Sequence, residues 1–253
     1  MGPDPLVGRE RSMASMGSME RERPVERILP EPDARVAAVL SGLEERSRKE
    51  QAELEALRAK GGTALRERAG SFMLDVGPDV GQLLNTLVRA MAAHTVVEVG
   101  GSVGYSTIWL AEAVRATGGR LYSIEVDPGK QDEQRDNVRE AGLAGVVELT
   151  ALEAPALLPT LAGPVDLVLL DHWKELYVRD FDACWPTLRP GGAVVADNIL
   201  IPKKNAEVIA AYRRHVGGVP DAQSQVLAIG DGIEFTVKRE ARPGVRRASG
   251  SGP

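Results

Sequence analysis

The chain has 253 residues, 43% hydrophobic, 26% charged and 4% aromatic, which is enough apolar content for a sizeable core and too much for wholesale disorder. At roughly 150 residues per domain it holds one or two domains. A net charge of −5 gives no bulk electrostatic support for a nucleic-acid partner, and no run of about 18 apolar residues offers a membrane span. Cys184 is the one cysteine, so no internal disulfide or thiolate cluster forms, which suits a reducing cytoplasm. His94, His172 and His215 are scattered, against a His-rich zinc site.

In chain order, residues 1–32 carry Met1, Met13, Met16 and Met19, several prolines and no apolar period, and read as a flexible tail without a secretory signal. A helical arm over 33–70 is expected to start at Asp33, an N-cap residue. Val36, Val39, Leu40 and Leu43 form its stripe, a highly charged stretch follows, Leu54 and Leu57 resume the stripe, and Gly61-Gly62 ends it. It reads as a solvated arm or, alternatively, as the arm of a homodimer. From 71 to 240 short β-rich runs alternate with helical stretches. The strands are Thr95–Val99, Leu121–Val126, Val146–Thr150, Val165–Leu170 and Ala193–Ala196. Between and after them, Ser106–Ala116, Gln131–Ala141, Tyr177–Leu188 and Lys204–His215 read as helices. Ser224–Ile229 and Ile233–Lys238 pair across Gly230-Asp-Gly232. This implies an α/β, Rossmann-like, seven-stranded and mostly parallel sheet with an antiparallel C-terminal hairpin and helices on both faces. Residues 241–253 read as a second tail.

Glu98-Val-Gly100-Gly-Ser-Val-Gly104-Tyr-Ser106 joins the first strand to a helix. Glycines permit a tight turn and close ligand approach, and a helix N-terminus presents N–H groups to an anion. Glu125, 25 residues past Gly100, ends the next strand and could accept both ribose hydroxyls of a bound nucleoside. Gly100 and Gly104 are four apart, which departs from the dinucleotide G-x-G-x-x-G spacing. An NAD-type oxidoreductase and a non-catalytic cofactor-binding homologue stay open as alternatives.

Asp171-His-Trp-Lys174 begins where the fourth strand ends, and Asp197-Asn198 where the fifth ends. Ligands of open α/β sheets bind beyond the carboxyl ends of strands, so neighbouring strands would aim Asp171, Asp197 and Asn198 into one crevice. Three hard oxygen donors suit Mg²⁺, with Mn²⁺ or Ca²⁺ possible, and leave positions for two adjacent substrate oxygens.

Asp-His-Trp-Lys with the later Ala-Asp-Asn resembles the cation-dependent class I O-methyltransferases, of the catechol O-methyltransferase and caffeoyl-CoA types, over roughly Phe72 to Lys238. The resemblance implies transfer of the methyl of S-adenosylmethionine to a small aromatic diol. It implies Asp171, Asp197 and Asn198 as metal ligands, Lys174 as general base, and Lys174, Asn198 and Glu234 as substrate contacts. Cofactor contacts would come from Val76, Glu98, Gly100, Ser106, Glu125, Val126, Asp171 and Trp173. Three features depart from the pattern. Asp75 stands where a neutral amide is usual, the end of strand three (Ala151-Leu-Glu-Ala-Pro155) lacks the usual polar side chains, and the N-terminal arm is longer and more charged.

Overall fold

A computed structural model describes residues 33–60, 67–200 and 205–240. The two sequence tails, the Gly61-Gly62 stop and Lys204 lie outside these residues. The first helix, α1 (Ala34–Lys60), begins where expected, with the Asp33 carboxylate accepting the Arg35 N–H at 3.0 Å. Its stripe of Val36, Val39, Leu40 and Leu43 is buried, and Leu54 and Leu57 pack on Phe72. The charged stretch is not merely solvated. Arg35 donates to the carbonyls of Glu140 and Arg139, and Arg46 pairs with Glu133, so α1 lies along its own domain.

A helix absent from the sequence reading follows, α2 (Gly77–Ala90). Its signal was present: Val80, Leu84 and Val88 recur every four residues, all fully buried, behind Pro78 in the first turn. The alternation then runs β1 (Thr95–Val99), α3 (Tyr105–Thr117), β2 (Arg120–Ile124), α4 (Pro128–Glu140), β3 (Val147–Thr150), the one-turn α5 (Ala154–Leu157), β4 (Val165–Leu170), α6 (Tyr177–Cys184), β5 (Leu188–Ala196), α7 (Ala206–Gly217), β6 (Ala222–Leu227) and β7 (Ile233–Lys238). Asp127 caps α4 by accepting the Lys130 N–H at 3.0 Å.

Three boundaries are corrected. Leu188 opens β5 rather than closing α6, because Pro186 and the turn of Trp185–Thr187 end the helix first. β2 stops at Ile124, so Glu125 and Val126 lie just past it. β6 sits two residues earlier than its pattern suggests.

The sheet order is β3-β2-β1-β4-β5-β7-β6, with β7 antiparallel to both neighbours. β4 is buried at every residue, the near-continuous apolar run of a parallel strand covered on both faces. Chain progression reverses between β1 and β4, and such a switch point opens a crevice at the carboxyl ends of the two strands. No described helix is long and apolar enough to cross a membrane.

Candidate active site

The loop after β1 is locked by its own backbone. The N–H groups of Gly100 and Gly101 both donate to the Ile124 carbonyl, at 2.9 and 3.0 Å. Gly100 and Gly104 both take φ of 100°, the left-handed region that favours glycine. A Cβ on Gly100 would run into the carbonyl oxygen of Asp171. The Ser102 N–H donates to one oxygen of Glu125 at 2.8 Å, and the Asp127 N–H to the other at 2.8 Å. Glu125 is thus oriented beside the loop by two backbone donors.

Glu98 is fully buried. One of its oxygens accepts from Thr107 at 2.6 Å and from Ser123; the other has no hydrogen-bond partner. Burial pushes its carboxyl up to about 7, against the pull of the Ser106, Ser123 and Thr107 hydroxyls. Ser106, in the first turn of α3, is itself buried. Val76 is buried at the start of α2, and its carbonyl lies near Gly230 in the β6–β7 hairpin.

On the other side of the crevice, Leu170 of β4 pairs with Ala196 of β5, which sets Asp171 and Asp197 side by side on adjacent strand tips. Lys174, 9% exposed, reaches back to Asp171 at 3.4 Å. Burial raises the proton affinity of both carboxyls, and the Asp171 charge raises that of Asp197 further. The Asp197 Oδ1 atom is buried with no hydrogen-bond partner. Two carboxyls of raised proton affinity thus lie side by side with Lys174 next to the first, and Asn198 follows directly in the chain. Among the described residues no group of three or more His, Cys, Asp and Glu side chains that could hold a metal ion stands together.

Glu234, on β7, is buried, and its Oε2 has no hydrogen-bond partner. It pairs with Ala196 in register, one residue before Asp197, but Ser224 donates to its Oε1 at 2.6 Å and Arg213 of α7 lies 3.7 Å from its Oε2. Residues the sequence reading gave no role also build the site. The Tyr177 hydroxyl accepts from Lys174 Nζ at 2.6 Å and lies 2.8 Å from the Leu170 carbonyl and 3.1 Å from that of Asp197. His172 is held 2.7 Å from the buried Asp180. No local signal marks Tyr177, although its spacing of three from Lys174 puts the two on one helical face.

Two further features mark this edge of the sheet. Ser102 and Asn198, in the loops after β1 and β5, are non-glycine residues at φ of 47° and 57°, and Leu74 before α2 at 52°, with Ala92 before β1 the further case at 46° among the described residues; such strain persists where the surroundings impose it. The exposed large hydrophobic side chains among the described residues are Val126, Leu152, Trp173 and Leu200, 40–61% exposed, and they follow β2, β3, β4 and β5 respectively. The carboxyl edge of the sheet therefore carries an apolar rim around a charged centre, the make-up of a small-molecule site.

A family profile described as a methyltransferase domain matches residues 97–199, from β1 through the Asp197-Asn198 tip. A catechol O-methyltransferase from Niastella koreensis is 35% identical over 136 residues, 52% of this chain and 61% of that protein. One from Mycobacterium tuberculosis is 37% identical over 145 residues, 54% of this chain and 66% of that protein. The chain thus spans less than two thirds of the length of these curated relatives. Among solved structures, the O-methyltransferase TomG from Streptomyces achromogenes, in complex with SAM, is 28% identical with a TM-score of 0.61, covering 72% of this chain and 89% of that one.

Proposed function

We propose that the chain, whose residues 97–199 match a methyltransferase-domain profile and whose fold is similar to that of a SAM-bound O-methyltransferase, moves the methyl group of S-adenosylmethionine to one hydroxyl of a small aromatic vicinal diol, with a divalent cation. One observation carries the reading. The Leu170–Ala196 register sets two buried acids side by side, with Lys174 3.4 Å from the first, and the glycine loop abuts the backbone of that same acid. Donor loop, oxygen ligands and base thus converge at one switch point.

The donor set fits the cation: Asp171, Asp197 and Asn198 offer hard oxygens, and Asp197 Oδ1 lacks any other partner. When bound, a Mg²⁺ ion (Mn²⁺ or Ca²⁺ alternatively) lowers the proton affinity of a diol hydroxyl, and S-adenosylmethionine supplies an activated methyl group. Lys174 Nζ takes the hydroxyl proton, and Tyr177 holds that nitrogen in place. Glu125 accepts the ribose hydroxyls, Ser106 meets the methionine carboxylate in the first turn of α3, and Val76, Glu98 and Gly100 enclose the methionine end. Val126 and Trp173, exposed on the apolar rim, flank the adenine. Asn198 and Glu234 contact the diol, Glu234 by exchanging its Arg213 neighbour for the second hydroxyl. Holding both reactants in line contributes several kcal/mol to the rate.

The relatives named for catechol methylation support a diol over other acceptors, and the SAM-bound neighbour supports this donor over a dinucleotide. The test is a methylation screen of vicinal diphenols against matched monophenols, with and without Mg²⁺, read by mass spectrometry. Diphenols gain one methyl group only with cation; equal methylation of monophenols in chelator would overturn the reading.

A further inference from the structure

Successive turns of α1 present polar side chains to the donor half of the crevice. Glu44 accepts from the Tyr105 hydroxyl at 2.8 Å, at the first residue of α3. Ser47 donates to Asp75 Oδ2 at 2.5 Å, and Glu50 Oε2 accepts the Met73 N–H at 2.8 Å. The second Asp75 oxygen accepts the Gly77 N–H at 2.8 Å. The Met73 carbonyl in turn accepts from Ser102 of the glycine loop. Residues 73–77 are therefore suspended between the loop and α1. Leu74, in the middle of that span, is held at φ of 52°, a conformation that costs free energy and needs neighbours to impose it. Side chains of α1 tie down the residues on both sides of it.

We propose that Ser47 and Glu50 are positioning residues for the methyl donor: by fixing residues 73–77 against the glycine loop, they make α1 a wall of the donor site. Neither residue touches the reacting atoms; each acts through Met73 or Asp75. The inference rests on the methyltransferase reading. It also accounts for the departure at Asp75. A carboxylate there accepts the Ser47 hydroxyl and the Gly77 N–H on separate oxygens, whereas an amide holding the Gly77 N–H on its oxygen would turn its NH2 to Ser47 and reverse that hydrogen bond.

The experiment compares the full-length parent with Ser47→Ala, Ser47→Thr, Glu50→Ala, the double variant Ser47→Ala/Glu50→Ala, and Lys49→Ala from the exposed Glu45–Lys49 pair of α1. Dissociation constants for S-adenosylmethionine and S-adenosylhomocysteine are measured by calorimetry, and donor KM and kcat on a diphenol by initial rates. Ser47→Ala is expected to weaken donor binding about five- to tenfold, the effect of one lost hydrogen bond of ordinary strength felt through Asp75, with kcat at saturating donor within about twofold of the parent. Ser47→Thr restores affinity, Lys49→Ala matches the parent, and the double variant loses more than either change alone. Parental affinity in the double variant, or a fall in kcat with unchanged donor KM, would overturn the proposal. Should Ser47→Ala fail to fold, Glu50→Ala, which removes the acceptor of the Met73 N–H, makes the same comparison. A parent that binds neither ligand overturns the methyltransferase reading and this inference with it. A parent that binds while Ser47→Ala binds equally well overturns this inference alone.

Discussion

Lys174 Nζ lies 2.6 Å from the Tyr177 hydroxyl, and that hydroxyl also reaches the carbonyls at the ends of both β4 and β5. One buried phenol thus links the candidate base to the two strands that bear the acids. Burial, the Asp171 charge and the Asp197 charge hold its own proton well above the ordinary range, so it serves as a neutral hydrogen-bonding post.

Lys174→Ala is expected to lower kcat by about two to four orders of magnitude while leaving donor affinity within a few-fold. Initial rates for turnover and calorimetry for the donor provide the check; a variant with parental kcat would remove Lys174 from the chemistry.

Tyr177→Phe keeps the ring and removes the post. Buried carbonyls lose a donor, so denaturant unfolding should show a loss of about 1–3 kcal/mol. Turnover should fall at the same time with an unchanged donor KM, because the lysine is freed to swing toward Asp171, 3.4 Å away.

On the proposed cation site, Asp171→Ala and Asp197→Ala each delete one proposed hard ligand and are expected to weaken Mg²⁺ binding by more than about a hundredfold, read by calorimetry. EDTA should silence the parent and added Mg²⁺ restore it. Full turnover in chelator would break the metal assignment.

Glu98 gives a prediction about stability. Its folded carboxyl holds a proton up to about pH 7, whereas the unfolded chain releases it near 4.5. Between those values the folded state binds more protons, so stability falls as pH rises, by about 3 kcal/mol across the window at about 1.4 kcal/mol per pH unit. Glu98→Gln keeps an acceptor for Thr107 and Ser123 and should flatten that decline in urea melts from pH 4.5 to 7.5.

Much of this architecture was legible because buried parallel strands leave unmistakable apolar runs, as Val165–Leu170 does, and because polar residues abutting such runs can only emerge at the strand tips. The conversion of α1 from arm to wall was not legible. Its charges looked solvated because their partners, the Glu140 carbonyl, Glu133, Asp75 and the Met73 amide, are remote in the chain. Tyr177 escaped for a similar reason: a tyrosine opening a helix is ordinary until two strand ends converge on its hydroxyl. Leu188 was misassigned because Pro186 sat inside a pattern that otherwise continued the helix.

The absence of any side chain between Gly100 and the Asp171 carbonyl has a bearing on how such a scaffold can change. Two half-sites that meet main chain to main chain keep a set gauge, whatever decorates their mouths. Replacing Trp173 or Leu200 could retailor which molecules enter without altering the stroke over which a group is handed across. A single methyl added at Gly100 would spoil that stroke for every acceptor at once.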